Sequence, residues 1–408
     1  LMKSGRPGPV HLDIPMDIAK AMIDPDSLIG YDTTLEEDFY NLKAVERQAR
    51  KFLKDLRESE RPVLMIGGGV RLAGALEEML QLGDLLRIPI YPTYNALDII
   101  CADYEFYAGK IGTYGGEGRN FGIQNSDLLL AIGSRISGRI TGGNIHSFAR
   151  EAKKYMVDVD KAGLQKKLQQ VPFEECINCD AKIFIKMLCD LIKQDGDFDS
   201  SRHSPWTEQC MVWKEKYQTC TPEMFKPTKY VHPYAFLRVL SDEMKSDDIL
   251  VADCGGNVIA TNHSFNTKTG QRYFTNNGNS PMGFSFAGSI GAWFASDKEK
   301  QNVVCIIGDG GMNMNIQELQ TLKNYNVGVK VVILNNHIYG ITKAFQKVNF
   351  EGRMEACGPV GYAPPDFVKV AESYGLPTMR IESGMDYEVV RSQINEFLNH
   401  DGPMIIDV

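Results

Sequence analysis

The sequence runs Val303-Val304-Cys305-Ile306-Ile307 into Gly308-Asp309-Gly310-Gly311, continues Met312-Asn313-Met314-Asn315, and later runs Val329 to Leu334 into Asn335-Asn336. Two apolar runs of strand length bracket a segment, near Asn315 to Asn324, in which Ile316, Leu319 and Leu322 share one helical face. Strand, helix, strand predicts a parallel pair. Gly-Asp-Gly and Asn-Asn then both fall at carboxyl ends of strands, where open α/β sheets place ligands. Asp309 offers a hard anionic oxygen and Asn336 a neutral one. Mg²⁺ takes such oxygens, with phosphate oxygens and water completing an octahedron. Gly310 and Gly311 let backbone come close, and the helix start presents N–H groups to an anion. The pattern predicts a metal-bridged diphosphate. Two plain turns after buried strands could carry the tripeptide alone, so the pairing with Asn335-Asn336 carries the inference.

Working outward, the same alternation continues on both sides. Strands are predicted at Ile249 to Ala252 and Met404 to Asp407, and helices near Pro233 to Met244, Phe286 to Ala295 and Pro365 to Tyr374. An earlier region repeats the pattern. Leu42, Val45, Ala49, Phe52 and Leu56 have helical spacing, and Pro62 to Ile66 is a buried-type strand ending in Gly67-Gly68-Gly69. A helix over Ala73 to Leu86, strands at Ile88 to Tyr91, Asp127 to Ile132 and Tyr155 to Val159, and a helix near Ala181 to Ile192 follow. The expected fold class is α/β, with two doubly wound parallel sheets, each covered on both faces. Between them, residues 196–228 read as a linker in which Trp206 and Trp213 point to a packed helix. At the start, Val10, Leu12 and Ile14 alternate with polar residues as one short strand.

The chain has 408 residues, 43% hydrophobic and 24% charged, which is ordinary globular composition. Its net charge of −8 argues against a dedicated nucleic-acid binder. No run approaches the ~20 apolar residues of a membrane helix. Nine scattered cysteines, an odd number, fit reduced thiols in the cytoplasm. Cys176 and Cys179 form a single CxxC, which by itself specifies neither zinc nor redox chemistry. There is no GxxxxGK[ST] loop, which argues against a phosphate-transfer enzyme.

The segment from Gly308 to Asn336 resembles the cofactor-binding stretch of the thiamine-diphosphate-dependent enzymes, and most of all that of the acetohydroxyacid (acetolactate) synthase large subunits. The resemblance implies thiamine diphosphate and Mg²⁺ as cofactors, with Asp309 and Asn336 binding the metal by side chain and Ile338 by its carbonyl. It also implies that Gly308, Gly310 and Gly311 border the cofactor; His337 could reach the diphosphate region, a solvated loop histidine being the alternative. Asp253-Cys254-Gly255-Gly256-Asn257 resembles the family's diphosphate-holding turn, placing Gly255, Gly256 and Asn257 there. Gly278 to Gly283 resembles the loop whose Met, here Met282, wedges under the cofactor; the family usually has Gly at the position of Ser280. The region from Arg61 to Asp160 resembles the family's central domain, where some members bind FAD. Gly67 to Gly69, Arg135 and Arg139 are the candidates for such a site, a plain tight turn being the alternative.

The resemblance assigns residues 1–27 to the end of a pyrimidine-binding domain, 28–195 to the central domain, 196–228 to the linker and 229–408 to the diphosphate- and Mg²⁺-binding domain. Val10 to Ile14 would be the last strand of that first domain, and Leu1 a point of truncation. The family's activating Glu would lie upstream of residue 1, so no catalytic acid or base is named. This chain by itself is expected to bind Mg²⁺-thiamine diphosphate weakly at best and to turn over nothing. The implied activity is decarboxylation of a 2-keto acid, pyruvate foremost, with carboligation to a second carbonyl. The implied assembly is a homodimer or homotetramer through the active-site interface. Two departures leave the acceptor open: Ile341 and Phe345 stand where acetohydroxyacid synthases usually carry Met and Trp. The competing reading is a non-catalytic FAD- or nucleotide-binding module.

Overall fold

The computed structural model describes the chain except residues 1, 3, 33, 35–39, 113, 114, 119 and 383, so Leu1 lies outside the described residues. The first sheet comprises β1 (Pro62–Ile66), β2 (Ile90–Pro92), β3 (Leu128–Ile132), β4 (Lys153–Asp158) and β5 (Glu175–Asn178), in the parallel order β2-β1-β3-β4-β5. Its strands alternate between two cores. Leu64, Ile66, Leu130 and Val157 pack with Phe52, Leu82 and Phe184 of the helices Leu42–Glu58, Leu76–Leu86 and Ala181–Gln194. Val63, Met65, Leu129 and Met156 pack with Trp206 and Cys210 of the helix Ser204–Lys216. That helix, from the predicted linker, is seated on the sheet, and Trp206 Nε1 donates to the carbonyl of Pro62 at 3.1 Å.

The second sheet comprises β6 (Ile249–Ala252), β7 (Arg272–Thr275), β8 (Val303–Gly308), β9 (Val329–Leu334), β10 (Thr378–Arg380) and β11 (Met404–Asp407), all parallel, in the order β10-β11-β9-β8-β6-β7. Leu250, Val304, Val332 and Ile406 face Phe236, Leu240 and Phe397; Val251, Cys305, Val331 and Ile405 face Phe286, Leu319 and Phe367. Continuous apolar strands are what a sheet buried on both faces requires.

The two units meet through polar bonds. Asp98 of the first unit, with a fully buried side chain, takes Arg272 and the backbone N–H of Tyr273 (3.1 Å) from the second, and Arg71 of its own unit at 3.1 Å. Lys110 Nζ donates to the carbonyl of Phe265 at 2.8 Å.

Several expectations change. Val10 to Ile14 is not a strand: no described strand lies beside it to complete a ladder, and Leu12 is 79% exposed. A helix, Met16–Lys20, follows instead. The helix expected over Ala73 to Leu86 begins only at Leu76, because Gly74 adopts φ +63°, and a separate short helix, Gly69–Leu72, precedes it. Cys176 lies on β5 and Cys179 just beyond it; burial raises the thiol of Cys176 to about 11 and that of Cys179 to about 12.

Candidate functional site

Three strand ends and one loop build the site. After β6 come Asp253 and the turn Cys254-Gly255, then a helix Gly256–Ser264. After β8, Asp309 itself opens a short helix, Asp309–Met314. After β9 come Asn335 and Asn336. After β7 a loop carries Ser280 and Met282 to Gly283, which precedes the helix Phe284–Ala295. Strand polarity in a parallel sheet forces these ends to one edge.

They enclose a cavity of about 610 Å³. Gly255, Gly256, Asn257, Ser280, Met282, Gly308, Asp309, Gly310, Gly311, Asn336 and Ile338 all line it. His337 does not. With φ +57° it lines a neighbouring cleft beside Pro364, Asp366 and Arg380. The two asparagines diverge: Asn335 Nδ2 donates to Asp407 Oδ1 at 3.1 Å, whereas Asn336 Oδ1 accepts from the N–H of Ile338 at 3.2 Å.

Asp309 is 4% exposed, and burial pushes its carboxyl above the ordinary range. Its Oδ2 is buried without a hydrogen-bond partner, and so is Oδ1 of Asn257, whose Nδ2 donates to the carbonyl of Cys254 at 2.7 Å. Buried acceptors left unpaired are costly, so two at one cavity mark a place for a cation or donor-bearing ligand. Among the described residues no three His, Cys, Asp or Glu gather as a metal site. One carboxylate plus an amide suits Mg²⁺ completed by phosphate oxygens rather than an all-protein cage. The residues present therefore fit a Mg²⁺-diphosphate.

The floor is kept low by two glycines. A Cβ on Gly310 would come 2.8 Å from the Met282 methyl, and one on Gly311 would overlap Asp253 Oδ2. Tyr339 stacks on Tyr362 with ring centroids 3.8 Å apart, and the Tyr362 side chain stands beside Asp309. Ile341 lines the cavity; Phe345, one turn on, is 58% exposed.

Two contributors were not singled out for this cavity from sequence. Asp253 accepts from the N–H of Gly283 at 3.1 Å and of Ser285 at 3.0 Å. Arg139, expected beside Arg135, instead lines this cavity and donates to Ser280 Oγ at 3.1 Å. Ser280 has φ +52°, a left-handed backbone in which Gly is at ease, which accounts for the residue usual in the resembling loop.

A second cavity of about 580 Å³ lies at the carboxyl ends of the first sheet, lined by Gly67 to Gly69, Gly133, Arg135 and Asp158 among others. Here the glycines serve packing. A Cβ on Gly69 would come 2.7 Å from the Cα of Gly133, so the turns after β1 and β3 interlock.

Comparison with known proteins agrees with this geometry. Residues 253–408 match the family described as "Thiamine pyrophosphate enzyme, C-terminal TPP binding domain", and residues 49–188 match "Thiamine pyrophosphate enzyme, central domain". The whole chain is 34% identical to a "Probable acetolactate synthase large subunit" of Methanococcus aeolicus, covering 68% of that protein. It is 33% identical to one of the same description from Methanocaldococcus jannaschii, covering 67% of it, with 99% of this chain aligned. It is 30% identical to "Acetolactate synthase isozyme 2 large subunit" of Escherichia coli, covering 69% of it, again with 99% of this chain aligned.

Proposed function

Since this chain belongs to the thiamine pyrophosphate (thiamine diphosphate) enzymes, we propose that its second-sheet cavity holds Mg²⁺ with that cofactor for an acetolactate-synthase-like reaction. That reaction is decarboxylation of a 2-keto acid, pyruvate foremost, with joining of the remaining carbons to a second carbonyl. The observation that carries the reading is the buried, unpartnered Asp309 Oδ2 in a cavity shared with Asn257 and Asn336.

In this reading Asp309, Asn336 and the carbonyl of Ile338 would hold Mg²⁺, while Gly255, Gly256 and Asn257 would take the diphosphate. When bound, thiamine diphosphate supplies the electron sink for breaking and making carbon–carbon bonds. Met282 and Ile341 give part of the wall an apolar lining, which favours exclusion of water. Arg139 brings a guanidinium to the wall, suited to pair with a carboxylate such as that of a keto acid. The helix Gly340–Asn349 buries none of its residues, and Ile341, Phe345 and Val348 are exposed along one side. That side supports a homodimer or homotetramer closing over the cavity.

A nucleotide such as FAD in the first-sheet cavity is a second proposal, supported by its volume, its place at strand ends and Arg135. Flavin bound there would give the purified protein a visible absorbance.

Assay of the natural full-length protein with pyruvate, Mg²⁺ and thiamine diphosphate tests the main reading. CO₂ release with acetolactate formation is expected. A protein that binds the cofactor yet decarboxylates no 2-keto acid would contradict it.

A further inference from the structure

We propose that Asp253 is a positioning residue that sets Met282 against the Asp309 turn, so that one buried carboxylate gives the cavity its shape; the inference rests on the cavity being the thiamine diphosphate site. Asp253 directly follows β6 and is 2% exposed. Both of its oxygens are engaged by backbone N–H groups, Oδ2 by Gly283 and Oδ1 by Ser285. These groups lie at the start of the helix Phe284–Ala295, whose N-cap, Gly283, has no side chain to cap it. Asp253 therefore caps that helix from 30 residues away in sequence, with a negative charge at the positive end of the helix.

The same residue touches two more walls. Its Oδ2 fills the space that a side chain on Gly311 would take, which seats it against the turn carrying Asp309. Its backbone carbonyl accepts from Thr275 Oγ1 at 3.1 Å, holding the end of β7 from which the Met282 loop departs. Met282 directly precedes Gly283, and its methyl lies over Gly310. Releasing the Gly283 N–H would let Met282 move relative to Gly310 while leaving Asp309, Asn336 and the Cys254-Gly255 turn in place.

Asp253→Asn tests this, because the amide keeps the shape but turns an N–H₂ donor toward one of two N–H groups. Calorimetry on the full chain would compare Mg²⁺-thiamine diphosphate with Mg²⁺-pyrophosphate, which engages only the Asp309 end. The expected result is a loss of about tenfold for thiamine diphosphate, the scale of one hydrogen bond to a charged group, with pyrophosphate affinity unchanged. Met282→Ala should weaken thiamine diphosphate binding alone, and the double variant should lose less than the product of the two single losses. Should Asp253→Asn fold poorly, equal losses for the two ligands in Met282→Ala would still overturn the positioning role, since that role acts through Met282. Unchanged thiamine diphosphate affinity in Asp253→Asn, or equal loss for both ligands, would overturn the positioning role. Failure of the wild type to bind thiamine diphosphate would instead overturn the functional reading, and this inference with it.

Discussion

Arg139 Nη1 donates to Ser280 Oγ at 3.1 Å, joining a helix of the central unit to the loop that carries Met282 into the cavity. The cavity is thus completed by a residue 141 positions away from the loop it touches. An Arg paired with a carboxylate contributes on the order of 1.5–3 kcal/mol. Arg139→Ala should accordingly raise the half-saturating concentration of pyruvate by about tenfold or more in the full-length protein. Thiamine diphosphate affinity should change far less. Steady-state kinetics alongside calorimetry separates the two.

Asp309 illustrates a site held at the expense of stability. Burial raises its folded carboxyl above the ordinary value. For such an acid the destabilisation is absent below the unfolded-state value and grows as pH rises through the unfolded and then the folded value. Asp309→Asn should therefore stabilise the ligand-free protein at neutral pH, and the gain should shrink towards acid. Urea denaturation at a series of pH values measures this. The same variant should lose Mg²⁺-dependent binding.

His263 predicts the opposite trend. Its ring is partly buried, with Nδ1 2.7 Å from the hydroxyl of Tyr234, and burial foremost lowers it from 6.5 to about 4. The fold favours the neutral ring, so its contribution is complete above pH 6.5 and is lost as pH falls towards 4. His263→Gln should flatten the loss of stability across that window, as followed by the urea midpoint.

Asp98 pins the central unit to β7 through Arg272 and the N–H of Tyr273, and also holds Arg71 of its own unit. Its loss would leave two guanidinium groups without their shared partner. Asp98→Ala should cost about 3 kcal/mol, and the protease sensitivity of the β7 edge should rise with it.

The central strands were legible because they are buried on both faces. The runs at residues 62–66, 249–252, 303–308 and 329–334 are almost wholly apolar. The strands with no counterpart in the sequence reading, β5, β7 and β10, are all at sheet edges. Glu175-Cys176-Ile177-Asn178 and Arg272-Tyr273-Phe274-Thr275 mix polar with apolar residues because an edge needs less burial. In the site, Asp309 and Asn336 could be placed because each directly follows a recognisable strand. The bonds from Asp253 to Gly283 and from Arg139 to Ser280 could not, since local pattern says nothing about which distant loops fold together. His337 adjoins Asn336 in sequence, yet its left-handed backbone places it in the neighbouring cleft.

Calorimetric titration of thiamine diphosphate into the full chain, with and without Mg²⁺, for the wild type and Asp309→Ala, tests the central claim most directly. The account predicts Mg²⁺-dependent binding by the wild type that is abolished in Asp309→Ala. Binding that is indifferent to Mg²⁺, or equally tight in Asp309→Ala, would contradict it.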